Sequence, residues 1–272
     1  MSVGVVTALV TIGARPEPPA VTPTAVCTTD PSPAQAFPAR RLSSERRVPF
    51  TVGETLEYDV SWSAFLTAGS ATLKVQEKKA SYGSRAYYIY AEGRPIPLIA
   101  SLYPVYYKAD TLLDVFTLLP QRGSIYSDEQ GERKTQVTLF DRSAGSVVYE
   151  LQPATGAKTK LSVPPLTQDA LSAVYVLRAS PLLEGGRITM PVFDRGVLHT
   201  VRITVGAKER ISTGAGWLRA WRITPVVTDS EGRQGYSGLA IWISDDARRL
   251  PVKLEAELAV GRFVLALRAV KP

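Results

Sequence analysis

Histidine and cysteine are nearly missing from this 272-residue chain, and asparagine is missing altogether. A single cysteine, Cys27, leaves no disulfide within the chain. Together with a single histidine, His199, it also leaves no Cys/His zinc cluster. Without asparagine there is no N-glycosylation acceptor. No apolar run approaches the roughly 18 residues of a spanning helix, and mean hydropathy is zero, so a multi-pass helical membrane protein is excluded. The sequence also lacks G-x-S-x-G, S-x-x-K, H-E-x-x-H, P-loop and G-x-G-x-x-G signatures.

Charge is present but spread out. The formal net charge is +7, yet in the body of the chain bases alternate with acids, as in Glu77-Lys78-Lys79 and Glu132-Arg133-Lys134. The dense run Arg40-Arg41 with Arg46-Arg47 lies in a proline-rich leader. Phosphate neutralisation needs clustered cations, so the pattern argues against a nucleic-acid partner; a general preference for anionic surfaces fits it better.

Residues 1 to 14, MSVGVVTALVTIGA, have the length and small-residue ending of a signal-peptide core without its cationic start. They are expected to be the remnant of an export signal, which places the protein in the periplasm or cell envelope; read as a plain tail, they leave it in the cytoplasm. Cys27 follows Thr24-Ala25-Val26, a poor lipoprotein attachment sequence because Val26 stands where a small residue belongs. Prolines crowd residues 15 to 49, a composition that cannot bury apolar area. The expected organisation is a leader over 1–47 and one β-rich domain over 48–272.

In that body the dominant period is two. Leu56, Tyr58, Val60 and Trp62 alternate with Glu57, Asp59 and Ser61, and Ala71, Leu73 and Val75 alternate with Thr72, Lys74 and Gln76. Strand-like runs continue at 85–92, 105–112, 123–126, 135–140, 147–151, 188–193, 198–205, 217–227, 236–244, 250–258 and 262–269, with Gly and Asp turns between them. One segment has helical spacing: in 167–180, Ala170, Leu171, Val174 and Leu177 share a face, Thr167 is the expected N-cap, and Pro181 forbids continuation. The fold class predicted is all-β with this one main helix. A curved antiparallel sheet forms an open barrel or half-barrel, and the helix lies across it or plugs its end. Strand, Asp-bearing turn, Leu-Pro, strand recurs at 107–120 and 239–251, so either two related halves (about 48–152 and 181–272) share the sheet or this is ordinary hairpin grammar. The proline of each Leu-Pro should start a strand or lie on an edge.

These segments resemble a known family. Pro49–Trp62 with Ala68–Val75, Thr117–Pro120, Gln168–Ala173, Met190–Asp194, Ile241–Asp246 and Arg249–Glu255 look like the bacterial domain of unknown function numbered 3108, over about residues 49 to 269. The resemblance implies an exported, envelope-located β-rich domain without an established activity. The same grammar is similar, at fold level, to periplasmic lipoprotein-carrier proteins, whose curved sheet wraps a helix over an apolar cavity; a fold likeness of this kind does not carry function.

For chemistry, His199 shares strand parity with Val197 and Val201, with Asp194 across the turn, so a base and orienter pair is conceivable. A half-buried strand histidine is the plainer reading. Asp245-Asp246 reads as turn chemistry ahead of cation binding. No catalytic or metal set is assigned, and no cofactor. The densest aromatic stretch holds Tyr87, Tyr88, Tyr90, Tyr103, Tyr106 and Tyr107, with prolines between and Arg94–Leu102 as an apolar, weakly periodic flap. Tyr88, Tyr90, Leu98, Tyr103, Tyr106 and Tyr107 are the expected rim of a cavity for a lipid or other amphipathic ligand, against the alternative of cross-strand packing. The leading expectation is a non-catalytic envelope binding or carrier module. The rivals are an envelope scaffold that meets partner proteins by sheet edges and, last, a hydrolase using His199 and Asp194.

Overall fold

A computed structural model describes residues 44–62, 66–152, 158–234, 237–258 and 261–272. The signal-like stretch, most of the proline-rich leader and Cys27 lie outside the described residues. The strands are β1 (Thr55–Trp62), β2 (Leu66–Ser81), β3 (Ser84–Pro95), β4 (Val105–Asp114), β5 (Pro120–Glu129), β6 (Glu132–Asp141), β7 (Ser146–Gln152), β8 (Lys158–Ser162), β9 (Arg187–Asp194), β10 (Val197–Thr213), β11 (Gly216–Thr228), β12 (Ser237–Ser244), β13 (Pro251–Leu258) and β14 (Gly261–Lys271). The helices are α1 (Pro97–Leu102) and α2 (Ala170–Ala179).

All strands join one antiparallel sheet of 14 in the order β8-β7-β6-β5-β4-β3-β2-β1-β14-β13-β12-β11-β10-β9. Each strand lies beside its chain neighbour except β8 and β9, the two ends of the sheet. The first and last strands pair at its middle, from Thr55 opposite Lys271 to Trp62 opposite Phe263. The architecture is therefore an up-and-down barrel left open where the chain leaves the sheet to make α2. Alternation explains the curl: Leu56, Tyr58 and Val60 of β1, Leu73 and Val75 of β2 and Leu265 and Leu267 of β14 all point into one core. Pro120 and Pro251 each open a strand, where a missing N–H costs no ladder bond.

The open ends overlap instead of pairing. Met190 and Val192 of β9 face the main core, so Phe193, next after Val192, points the other way, into Phe140, Val147 and Val163 beneath β6 and β7. Tyr149 meets its ring edge-on with centroids 6.2 Å apart. The chain leading to α2 covers part of the β9 edge: the Gln168 N–H donates to the Pro191 carbonyl at 2.9 Å, and the Phe193 N–H donates to the Gln168 carbonyl at 2.8 Å.

Three expectations need correction. The N-cap of α2 is Asp169, whose carboxylate accepts from the Ser172 N–H in a capping box, and Thr167 instead donates its hydroxyl to the Pro164 carbonyl. A capping box needs the helix to begin at Ala170, so Thr167 lies too far upstream. The Arg94–Leu102 segment, expected as an apolar flap without strong periodicity, ends β3 and turns helical at Pro97, which starts α1. Finally β8, Lys-Thr-Lys-Leu-Ser, lacks a clear apolar alternation and was not anticipated.

Candidate functional site

The two ends of α2 are anchored differently. At the C-terminal end Arg178 is 1% exposed. Its guanidinium donates to both carboxylate oxygens of Glu54 at 2.7 and 2.9 Å and to the carbonyls of Arg249 and Arg248, each at 3.0 Å. The rings of Phe50 and Tyr175 flank it at 5.3 and 5.1 Å. Charge and donors are thus consumed inside the protein, which makes this pair an anchor between β1, α2 and the turn before β13.

At the N-terminal end Asp169 is buried, accepting from the Ser172 N–H at 2.7 Å and the Thr111 hydroxyl of β4 at 2.6 Å. Gly123 of β5 makes the space, since a Cβ there would stand 3.2 Å from the Asp169 Oδ2. Burial pushes the Asp169 carboxyl up to about 6, against the pull of its hydrogen bonds from Ser172 and Thr111. Beside it lies a hollow of about 30 Å³, lined among others by Asp110, Tyr149, Phe193, Asp194 and Arg195, where the sheet ends overlap. Asp110 is already held there by Arg122 and Ser124. A second, apolar hollow of about 10 Å³ lies between Tyr58, Val174 and Leu254. One water needs about 10–15 Å³, and pockets for small organic ligands measure about 300–1,000 Å³. These hollows hold water-sized guests and no acyl chain.

The tyrosine set divides by strand parity. Tyr107 points inward, buried, and donates to Glu129 at 2.6 Å. Tyr87 is also inward, edge-on to Phe50. Tyr88, Tyr90 and Tyr106 point to the outer face, where Tyr88 and Tyr90 lie 6.4 Å apart, and Tyr106 meets Tyr126 of β5 at 6.0 Å. Tyr126 was not singled out in the sequence, although its parity on β5 is the signal that finds it. Cations sit over these rings: Lys79 over Tyr88 at 4.2 Å, Lys108 over Tyr90 at 5.0 Å and Arg94 over Tyr106 at 4.9 Å. The Tyr106 hydroxyl donates to Glu92 at 2.8 Å. Partial burial raises the hydroxyl pKa values of Tyr88, Tyr90 and Tyr106. Tyr103 caps α1, its N–H donating to the Ile99 carbonyl. In α1 no residue is buried, and Leu98 and Leu102, one turn apart, are 68% and 80% exposed. The six expected residues therefore form no single rim.

His199 is half-buried on β10 opposite Val192, while Asp194 lies opposite Val197. Burial holds its imidazole below the usual range, and the opposing pull comes from Asp229 beyond the end of β11. The carboxylate whose charge acts on His199 is that of Asp229, and the His199 Nδ1 is buried without a hydrogen-bond partner among the described residues. Asp246 serves its turn, accepting from the Ser244 hydroxyl and the N–H groups of Arg248 and Arg249. Among the described residues no group of His, Cys, Asp and Glu is placed to hold a metal ion, and no helix is long and apolar enough to cross a membrane.

Comparison with known proteins adds a family and an architecture. The model of the family "Protein of unknown function (DUF3108)" matches residues 57–268. No curated protein matches the sequence. Among solved structures, the β-barrel-like protein of domain of unknown function DUF1849 from Brucella abortus is similar at a TM-score of 0.52 and 11% identity, over 80% of this chain and 96% of that one. A protein with YmcC-like fold from Bacteroides fragilis aligns at a TM-score of 0.35 and 10% identity, over 84% of this chain and 100% of that one. At such identities the first likeness is one of fold alone.

Proposed function

The chain belongs to the DUF3108 family of proteins of unknown function, and from that premise we propose that it is a non-catalytic binding module of the bacterial cell envelope. It engages its partner with the outside of the sheet and not with an internal cavity. The observation that carries this reading is where the apolar and aromatic surface stands. The two hollows beside α2 measure about 30 and 10 Å³. Tyr88, Tyr90, Tyr106 and Tyr126 instead face outward, and the strand pair β3–β4 that bears three of them ends in α1, with Leu98 and Leu102 exposed. Tyrosine and arginine are enriched at the centre of protein interfaces. The envelope location is supported by the signal-like residues 1–14.

A photo-crosslinking amino acid placed at Tyr90 or at Leu98, in cells of the native host, tests the reading. The expected result is one and the same adduct from both positions and none from the exposed Lys160 of β8. Native mass spectrometry of protein purified from that host provides the opposing outcome: a stoichiometric acyl-chain lipid retained in the wild type would show that the interior opens to cargo, and would overturn the outer-face assignment.

A further inference from the structure

A second face of the sheet carries charge that the fold does not use. On β10 the residues Val201, Ile203 and Val205 are buried, so Arg202 and Thr204 point outward and are exposed. Register puts Arg202 between Thr189 of β9 and Val226 of β11, and Thr204 between Arg187 and Thr224. Arg222, two residues before Thr224, completes the face and stands over the Trp242 ring at 5.8 Å. Among the described residues Arg187 and Arg202 form no ion pair. Arg222 reaches Glu209 only at 3.8 Å, and Glu209 is already taken by the Trp242 Nε1–H at 2.7 Å. Several exposed cations elsewhere have acids beside them: Arg133 pairs with Asp128, Lys134 with Glu132 and Arg268 with Glu57. The outer face of β9–β11 gathers Arg187 and Arg202 without such a partner among the described residues.

From this arrangement we propose that the outer face of β9–β11 binds an acidic glycan, a sugar chain bearing carboxylate or phosphate groups. Guanidinium groups supply paired N–H donors matched to such anions, and the hydroxyls of Thr189, Thr204 and Thr224 between them can donate to or accept from sugar hydroxyls. Strand spacing separates Arg187 from Arg202 by on the order of 7–8 Å between backbones and Arg187 from Arg222 by about 12 Å, so the anionic groups must be distributed along a polymer. Its one exposed large apolar residue is Val226, which gives a bilayer nothing to insert. Apart from Trp242, which Arg222 and Lys253 already flank, it presents no ring on which nucleobases would stack.

Binding of fluorescent polymannuronate oligosaccharides, measured by anisotropy against increasing salt, tests the proposal on the full chain. The expected result is salt-sensitive binding that weakens about tenfold in Arg187→Gln/Arg202→Gln. Arg133→Gln/Lys134→Gln, which removes the same charge elsewhere, should bind as the wild type does. Both changes are at exposed positions, and an unchanged urea unfolding curve verifies the fold. Equal loss in both double variants would reduce the effect to net charge and overturn the proposal. It is equally overturned by absence of polyuronate binding, or by tighter binding to phosphatidylglycerol vesicles or to oligothymidylate. The crosslinking sites on β3 and α1 are remote from this face, so either reading can fail alone.

Discussion

Asp169 is a carboxyl taken out of water by the very contacts that make it a helix cap. Its pKa rises from 3.8 to about 6 in the folded protein. Between those values the folded state binds more protons than the unfolded one, so this group's contribution to stability falls as pH rises and is fully present only below about pH 4. At about 1.4 kcal/mol per unit, the swing amounts to about 3 kcal/mol. Asparagine keeps the capping oxygen and removes the proton. The unfolding free energy of the wild type minus that of Asp169→Asn should therefore become more favourable by up to about 3 kcal/mol as pH is lowered from neutral to 4, measured in urea. The opposite end of α2 rests on a buried charge pair. Removing one partner, as in Glu54→Gln, strands the Arg178 guanidinium and should cost about 3–5 kcal/mol. Glu54→Leu with Arg178→Met should cost clearly less than Glu54→Gln alone, and comparison of the two unfolding curves decides the matter.

The two helices make contrasting elements. α1 exists because Pro97 suits a first helical turn, and it buries nothing; Leu98→Ser/Leu102→Ser should leave stability within about 0.5 kcal/mol of wild type. In α2, Leu177 is 2% exposed, so Leu177→Ala should cost about 2–5 kcal/mol; thermal unfolding of both variants makes the comparison. This contrast also shows what the sequence could disclose. Strands with one wet face, such as β1, announce themselves through alternation, and α2 through spacing and Pro181. β8 is too short and too exposed to alternate, and α1 has no buried stripe to leave a period. The tyrosines were legible as a cluster but not as a site, because Tyr106 and Tyr107 are neighbours in the chain and lie on opposite faces of the sheet. Asp194 is near His199 in sequence, whereas Asp229, whose charge acts on the imidazole, is brought close by the pairing of β10 with β11. The arginines of β9–β11 gave no local signal, since three strands must be in register before they form one face.

For the whole molecule, the decisive property is that a single sheet curls until its unpaired ends overlap. Its middle, β1 with β14, is bonded on both sides and holds the two chain ends of the domain together. Its seam relies on Phe140, Val147, Val163 and Phe193, a small cluster separate from the main core, and on the bridge from Gln168 to Val192. Side-chain contact without a strand ladder across the gap leaves β6–β8 the least constrained part of the curl, because their opening breaks few hydrogen bonds and exposes little apolar area. Native-state hydrogen exchange should therefore show amides of β7 and β8 exchanging through local opening well below the global unfolding free energy, with β1, β2 and β14 exchanging only by global unfolding. Phe193→Ala removes the residue on which the overlap rests. It should cost about 3–5 kcal/mol if the cluster is part of the cooperative core, and less if the seam already opens on its own. In either case the loss of protection should concentrate in β6–β8. Equal acceleration across β12–β14 would mean that the sheet unfolds as one unit and that the seam is not its weak line.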